Sequence, residues 1–204
     1  MTPDYWDEAT AHLSRRDKVL RKLIKASPPA DLVSRGDAFQ TLARSIVGQQ
    51  ISVKAAQSIW GRFAALAGDV KPANVVALSD ESLRAVGFSG QKVSYVKDLA
   101  RRFHAGEVKP RRWSRMDDEA IIEELVEVKG IGRWTVEMFL IFHMRRPNVL
   151  PVDDLGLRRA MERAYNKGDA LTKAEMREIG KPWAPFSSVA TWYLWRSLDN
   201  VVFG

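Results

Sequence analysis

The sequence predicts an all-α fold, and three observations predict it. Apolar residues recur at the helical period in nearly every segment. Alternating apolar and polar runs of strand length, bounded by hairpin-turn signals, are missing. The breaks between apolar stripes are short and marked by Pro and Gly. Taken in order, an N-terminal helix ends before Ser27-Pro28-Pro29. Phe39, Leu42, Ala43, Ile46 and Val47 then fall at i, i+3, i+4, i+7 and i+8, one buried stripe on a helix. Val53 to Leu66 carries Ala56, Ile59, Trp60 and Phe63 on one side and reads as a second core helix, with Trp60 a core residue. After the Gly68 to Pro72 loop, Ser79-Asp80-Glu81-Ser82-Leu83 has the form of a helix start. Gly87 and Gly90 punctuate, and Val93, Val96, Ala100 and Phe103 form the next stripe. Lys109-Pro110-Arg111-Arg112 and Arg145-Arg146-Pro147-Asn148 read as loops. Thr172 with Glu175 fits a capping box. Residues 1–204 form one unit with two expected lobes, a central one over about 33–145 and a second from about 1–32 together with 146–204.

At 204 residues and 46% hydrophobic content the chain can bury a real core. It holds no Cys, which excludes disulfides, thiolate nucleophiles, cysteine zinc sites and cysteine-held iron–sulfur clusters together. With three His, a histidine-built metal site is not expected either. A formal charge of +7 favours a polyanionic partner. The acidic N-terminus has no apolar run of signal-peptide length, and no later run reaches membrane-spanning length. The expectation is a soluble intracellular protein, cytoplasmic and, in a bacterium, associated with the nucleoid.

The most informative stretch is Leu125-Val126-Glu127-Val128-Lys129-Gly130-Ile131-Gly132-Arg133-Trp134-Thr135, an apolar helix end, a Gly-X-Gly turn and a new helix start. Its two glycines can adopt positive φ and let another backbone approach closely. The amides that open the next helix have no partners inside it and suit a phosphate. About twenty residues on comes Pro151-Val152-Asp153-Asp154-Leu155-Gly156, which supplies carboxylates.

These two patches, together with Ser45-Ile46-Val47-Gly48-Gln49-Gln50-Ile51-Ser52 and the segment Lys181-Pro182-Trp183 through Trp192-Tyr193-Leu194-Trp195, resemble the helix-hairpin-helix (HhH-GPD) DNA glycosylases. Their order and spacing are most similar to the alkylation-repair branch typified by bacterial 3-methyladenine DNA glycosylase II. The resemblance covers roughly residues 36 to 196. It implies a two-lobed helical fold with the active site in the cleft between lobes. The bacterial prototype also has a β-rich N-terminal domain, for which too few residues precede the shared region here. The implied partner is double-stranded DNA containing alkylated bases, acted on by a monomer.

By the resemblance Asp154 is the catalytic carboxylate. The chemistry wants one independently, because breaking an N-glycosidic bond builds positive charge on the sugar that a fixed anion stabilises. The same group can orient or deprotonate the attacking water. Asp153-Asp154 also reads as a helix N-cap pair; the cap is assigned to Asp153 and catalysis to Asp154. Branches of the family that also nick the backbone carry a Schiff-base lysine where this chain has Trp134. The expected enzyme therefore stops after base removal. The resemblance places Trp134, Met138 and Trp192 in the base pocket, where a flipped base stacks on aromatic faces and a cationic one gains from indole. Met138 stands where the bacterial type has an aromatic residue.

The Gly48-Gln49-Gln50-Ile51 turn matches the family's intercalating loop, with Gln50 as the plug and Gln49 as its substitute. Gln50 replaces the leucine of the bacterial type and can hydrogen-bond the orphaned partner base. The hairpin is expected to hold DNA through Gly130, Gly132, Arg133 and Thr135, with phosphate contacts that position without reading sequence. No cofactor is required for catalysis. The resemblance implies a monovalent cation, Na+ or K+, on the carbonyls of Val126, Val128 and Ile131. The expected activity is hydrolytic removal of 3-methyladenine and related purines in base excision repair. A non-catalytic helix-hairpin-helix module that binds DNA or lesions is the alternative, and it would need neither Asp154 nor the pocket tryptophans.

Overall fold

The computed structural model describes residues 2–27 and 37–198. Pro28 and Pro29, and with them the expected break near residue 30, lie outside the described residues. The chain divides into two compact units, one of Met1–Ser34 with Leu140–Gly204 and one of Arg35–Phe139. Among the described residues all regular structure is helical. None of their helices is long and apolar enough to cross a membrane.

The first unit begins with α1 (Trp6–Arg16), which buries Trp6, Ala9 and Leu13, and α2 (Lys18–Ala26). Asp17 separates them. Its Oδ1 accepts the amides of Val19 at 2.8 Å and Leu20 at 3.0 Å, so two otherwise orphaned donors of α2 are satisfied.

In the second unit, α3 (Ala38–Gly48) buries all five residues of its expected stripe behind an Asp37 cap. α4 (Val53–Ala67) starts at a Ser52 cap and buries Trp60 and Phe63. Two short helices follow, α5 (Pro72–Ala77) and α6 (Asp80–Ala85), the latter capped by Ser79 as its sequence requires. α3 and α5 both pack on α7 (Gly90–His104), the unit's central helix. The loop expected at Lys109–Arg112 is instead the start of a 3₁₀ helix over Pro110–Arg115. Pro presets the φ that a first helical residue needs, and the turn then buries Trp113, whose indole N–H donates to Glu124 at 2.9 Å. Phe39, Phe103, Trp113 and Phe139 form a chain of edge-to-face rings through this core. α8 (Asp118–Val126) and α9 (Arg133–Phe142) complete the unit, and the last turn of α9 belongs to the first.

The first unit resumes with α10 (Leu155–Tyr165), α11 (Lys173–Gly180) and α12 (Ser187–Leu198). The Thr172–Glu175 capping box is present with both reciprocal bonds. α12 packs on α10 and α2 around the fully buried Trp183. Trp183 donates to Asp17 Oδ2 at 3.0 Å and the Tyr165 hydroxyl donates to the same oxygen at 2.8 Å. Burial first, and then the adjoining Asp17 charge, raise the pKa of the Tyr165 hydroxyl and keep it a donor.

Candidate functional site

The hairpin is built inside the second unit. α8 ends at Val126, the amide of Val128 donates to Leu125 and that of Ile131 to Val128, both at 3.1 Å, and α9 begins at Arg133. Val128 and Ile131 are buried, which fastens the turn to the core by its two apolar side chains. The two glycines, both able to adopt positive φ, do not behave alike. Gly130 adopts it, at φ 79, whereas Gly132 is not among the positive-φ residues and accepts from the Val136 amide as the residue ahead of α9. A Cβ on Gly130 would lie 2.1 Å from the Tyr95 ring, but one on Gly132 would meet nothing within 4 Å. The turn therefore demands glycine at position 130 for its own conformation, while at position 132 glycine leaves open space and suits the residue ahead of a helix.

Two side chains that sequence reasoning missed hold this turn from α7. Tyr95 fills the space beneath Gly130, and Asp98 Oδ2 accepts the Lys129 amide at 3.0 Å and Arg102 Nε at 3.1 Å. Partial burial works against ionisation of Asp98. The bonds from Lys129, Arg101 and Arg102 outweigh it and hold the carboxyl below its ordinary pKa. From the other side, Gln49 Nε2 donates to the Gly130 carbonyl at 2.8 Å. Gln49 is thus tied to the hairpin, and Gln50 is the exposed tip of the α3–α4 turn, with φ 59. Lys92 Nζ anchors the same turn by donating to the Val47 carbonyl at 2.7 Å.

A cavity of about 450 Å³ opens beside this turn, lined by Ser45, Gly48, Gln49, Gln50, Trp134, Thr135 and Met138. Its volume lies in the range of small-molecule sites. Trp134, the expected stacking residue, is 47% exposed, an unusual state for indole unless its face has a use. Met138 and both glutamines line the same space, so four expected site residues come together here. Thr135, expected to hold DNA, is buried in the wall of the same cavity. Arg133 is committed within the protein. Its guanidinium forms a two-bond pair with Glu119, one arm at 2.9 Å, and lies 3.4 Å from Glu137. Backbone carbonyls such as those of Val126, Val128 and Ile131 are the hard oxygen donors that a monovalent cation takes, and the Val128 carbonyl already accepts the Ile131 amide.

Asp154 belongs to the first unit, at the end of a segment fastened to α12. Ser188 Oγ donates to the Arg146 carbonyl at 2.6 Å and accepts the Val149 amide at 2.9 Å, while Ser187 Oγ donates to Asn148 at 2.8 Å. The buried Val149, Pro151 and Val152 complete the attachment. The structure corrects the cap assignment. Asp154, not Asp153, is the N-cap of α10, with Oδ1 accepting the Leu157 amide at 2.6 Å. The helix starts at Leu155, which puts Asp154 at the only position from which a side chain reaches back to the third amide. Asp153 is exposed and pairs with Lys173. Trp195 Nε1 also donates to Asp154 Oδ1, at 2.8 Å, and the Trp195 ring stacks on Phe142 at 5.7 Å and 14°. Trp192, expected in the base pocket, packs edge-on against Trp6 and Tyr193 within the first unit, with Arg196 over its ring.

The model of a family described as HhH-GPD superfamily base excision DNA repair protein matches residues 43–185. DNA-3-methyladenine glycosylase 1 of Schizosaccharomyces pombe is 32% identical over 93% of this chain and 86% of its own length. Among solved structures, a DNA-3-methyladenine glycosidase from Bacillus halodurans superposes with a TM-score of 0.88 at 35% identity, covering 94% of this chain and 89% of that one. A 3-methyladenine DNA glycosylase of S. pombe in complex with abasic DNA gives 0.81 at 32% identity, covering 97% and 99%.

Proposed function

The chain belongs to the HhH-GPD superfamily of base excision DNA repair proteins, and from that premise we propose that it is a DNA-3-methyladenine glycosylase with Asp154 as its catalytic carboxylate. It binds duplex DNA, extrudes an alkylated purine, hydrolyses its N-glycosidic bond and leaves an abasic site.

The observation that carries the enzymatic reading is the cavity faced by Trp134 and Met138, with Gln50 at its rim. A module that only grips a phosphate backbone has no use for a base-sized hollow beside an exposed indole. A base taken out of the stack needs one, and a cationic alkylated base gains further from the indole face. Gln50, exposed at the tip of its turn, occupies the gap left in the duplex and offers both a donor and an acceptor to the partner base.

Asp154 supplies the charge. As the bond from C1′ to the base nitrogen breaks, its electron pair passes to the alkylated purine, which leaves neutral. The sugar carries the positive charge, and the carboxylate stabilises it. Water then adds to C1′ and gives its proton to the carboxylate. One acid group suffices because the leaving base needs no proton. With Trp134 where a lyase would carry its amine, no Schiff base forms and the strand stays intact. The hairpin amides hold the phosphate backbone, and the carbonyls of Val126, Val128 and Ile131 would hold a monovalent cation, which would supply positive charge there.

The test is incubation of the protein with methylated duplex DNA, with released bases identified by mass. Free 3-methyladenine is expected, with strand scission only after alkali. DNA binding without base release across a broad lesion panel would establish the non-catalytic module instead.

A further inference from the structure

The first unit contains two pairings of a tryptophan with a helix-capping aspartate, and they differ in one atom. At Asp17 the two oxygens divide the work. Oδ1 takes the cap amides of Val19 and Leu20, and Oδ2 takes Trp183 and Tyr165. That is the arrangement of a structural cap, with tertiary bonds opposite the helical ones. At Asp154 the cap amide of Leu157 and the indole N–H of Trp195 both fall on Oδ1, at 2.6 and 2.8 Å. A cap needs only the first of these bonds.

We propose that Trp195 is a positioning residue for the Asp154 carboxylate. It clamps Oδ1 from a second direction so that the carboxylate plane, and with it the placement of Oδ2, is fixed before substrate arrives. Two donors from different elements, the α10 backbone and an α12 side chain, hold Oδ1 from different directions. Both are hydrogen bonds to an ionised group, the stronger kind. The sequence makes room for the clamp. A Cβ at Gly156 would lie 3.1 Å from Asp154 Oδ1 and 3.3 Å from Trp195 Cδ1, so glycine there lets the indole reach the carboxylate. Phe142, stacked on Trp195, keeps the ring from rotating. A transition-state charge is stabilised best by a group that need not reorganise, and this is what the second bond contributes.

The proposal rests on Asp154 acting in base excision, so the experiment separates the two. Single-turnover release of 3-methyladenine is measured for the wild type, for Trp195→Phe, and for a protein with benzothienylalanine at position 195. That analogue keeps the ring volume and the Phe142 stack and replaces only the N–H. Both variants are expected to excise about tenfold to hundredfold more slowly, the size of one hydrogen bond to a charged group. Their half-saturating concentration and affinity for abasic-site DNA should stay within about twofold of wild type. The benzothienyl variant guards against misfolding of Trp195→Phe, and its melting temperature should match the wild type. Wild-type excision by the benzothienyl variant overturns the proposal. So does a loss that appears in DNA affinity rather than in the chemical step. A wild type that releases no base refutes the glycosylase reading itself and removes this proposal with it.

Discussion

Gly130→Ala should destabilise the second unit far more than Gly132→Ala, although the sequence presents the two glycines as equivalents. At position 130 two penalties combine. A non-glycine residue held at φ 79 costs about 1–2 kcal/mol. The new Cβ would lie 2.1 Å from the Tyr95 Cδ2 atom and 2.4 Å from its Cε2, so the ring must withdraw by roughly 1 Å or more. Forcing a packed side chain aside adds about 1–3 kcal/mol. The expected total is about 2–5 kcal/mol, or a melting temperature lowered by roughly 4–20 °C in a protein of this size. At position 132 a Cβ meets nothing within 4 Å, and the cost is limited to the poorer capping of Ala, about 1 kcal/mol at most. Urea denaturation of both variants, repeated in a Tyr95→Ala background, apportions the terms. Removing the ring should reduce the Gly130→Ala penalty to its backbone part, about 1–2 kcal/mol. Equal stability of the two glycine variants, or an unchanged Gly130→Ala cost without the Tyr95 ring, would show that Tyr95 does not seat the hairpin.

Asp154→Asn retains a good capping residue, so the fold should survive while excision falls by orders of magnitude; Asp153→Asn should cost an exposed ion pair of about 1 kcal/mol or less and leave excision near normal, and thermal melts beside single-turnover rates check both. A larger activity loss at Asp153 would transfer catalysis to it. Gln50→Ala should slow excision from paired duplex more than from mismatched DNA, because a mismatched base is already easier to extrude; equal slowing on both substrates would make Gln50 a structural residue. Asp98 has a folded-state pKa below its ordinary value, so its contribution is complete above that ordinary value and is lost as pH falls through the folded one. Acid unfolding should therefore include a component that Asp98→Asn removes, seen as a shallower loss of stability below about pH 4. An Asp98→Asn curve parallel to wild type would count against that linkage.

The fold was legible wherever local rules govern. The α3 stripe, the Ser79 cap and the Thr172 box depend only on neighbours in sequence, and each forms as its residues require. The short α5 and the 3₁₀ helix at Pro110–Arg115 have too few residues to show a period. The cap assigned to Asp153 belongs to Asp154, because a helix boundary moved by one residue decides which side chain reaches the third amide, and sequence places boundaries less finely than that. The contacts of Tyr95, Asp98 and Trp195 went unseen for a different reason. Each side chain acts on a backbone or carboxylate tens of residues away, through a contact that exists only after the helices have packed. The hairpin itself could be read; the supports that hold it in shape could not.

If Asp154 is the catalytic carboxylate proposed above, it serves chemistry and helix capping at once, and that changes how its importance can be detected. Active-site charges commonly burden a protein, so that replacing them yields a sturdier and inactive variant. Here the carboxylate proposed for the chemistry also closes the first turn of α10, and on that reading the usual exchange of activity for stability is largely absent. A survey of alanine variants ranked by melting temperature would register Asp154 as an ordinary helix cap, and a search for stabilising substitutions would find no gain in removing it. Selection on folding alone is thus enough to disfavour most residues at this position, while Asn and Ser cap about as well as Asp and would, on the proposed mechanism, lack the charge.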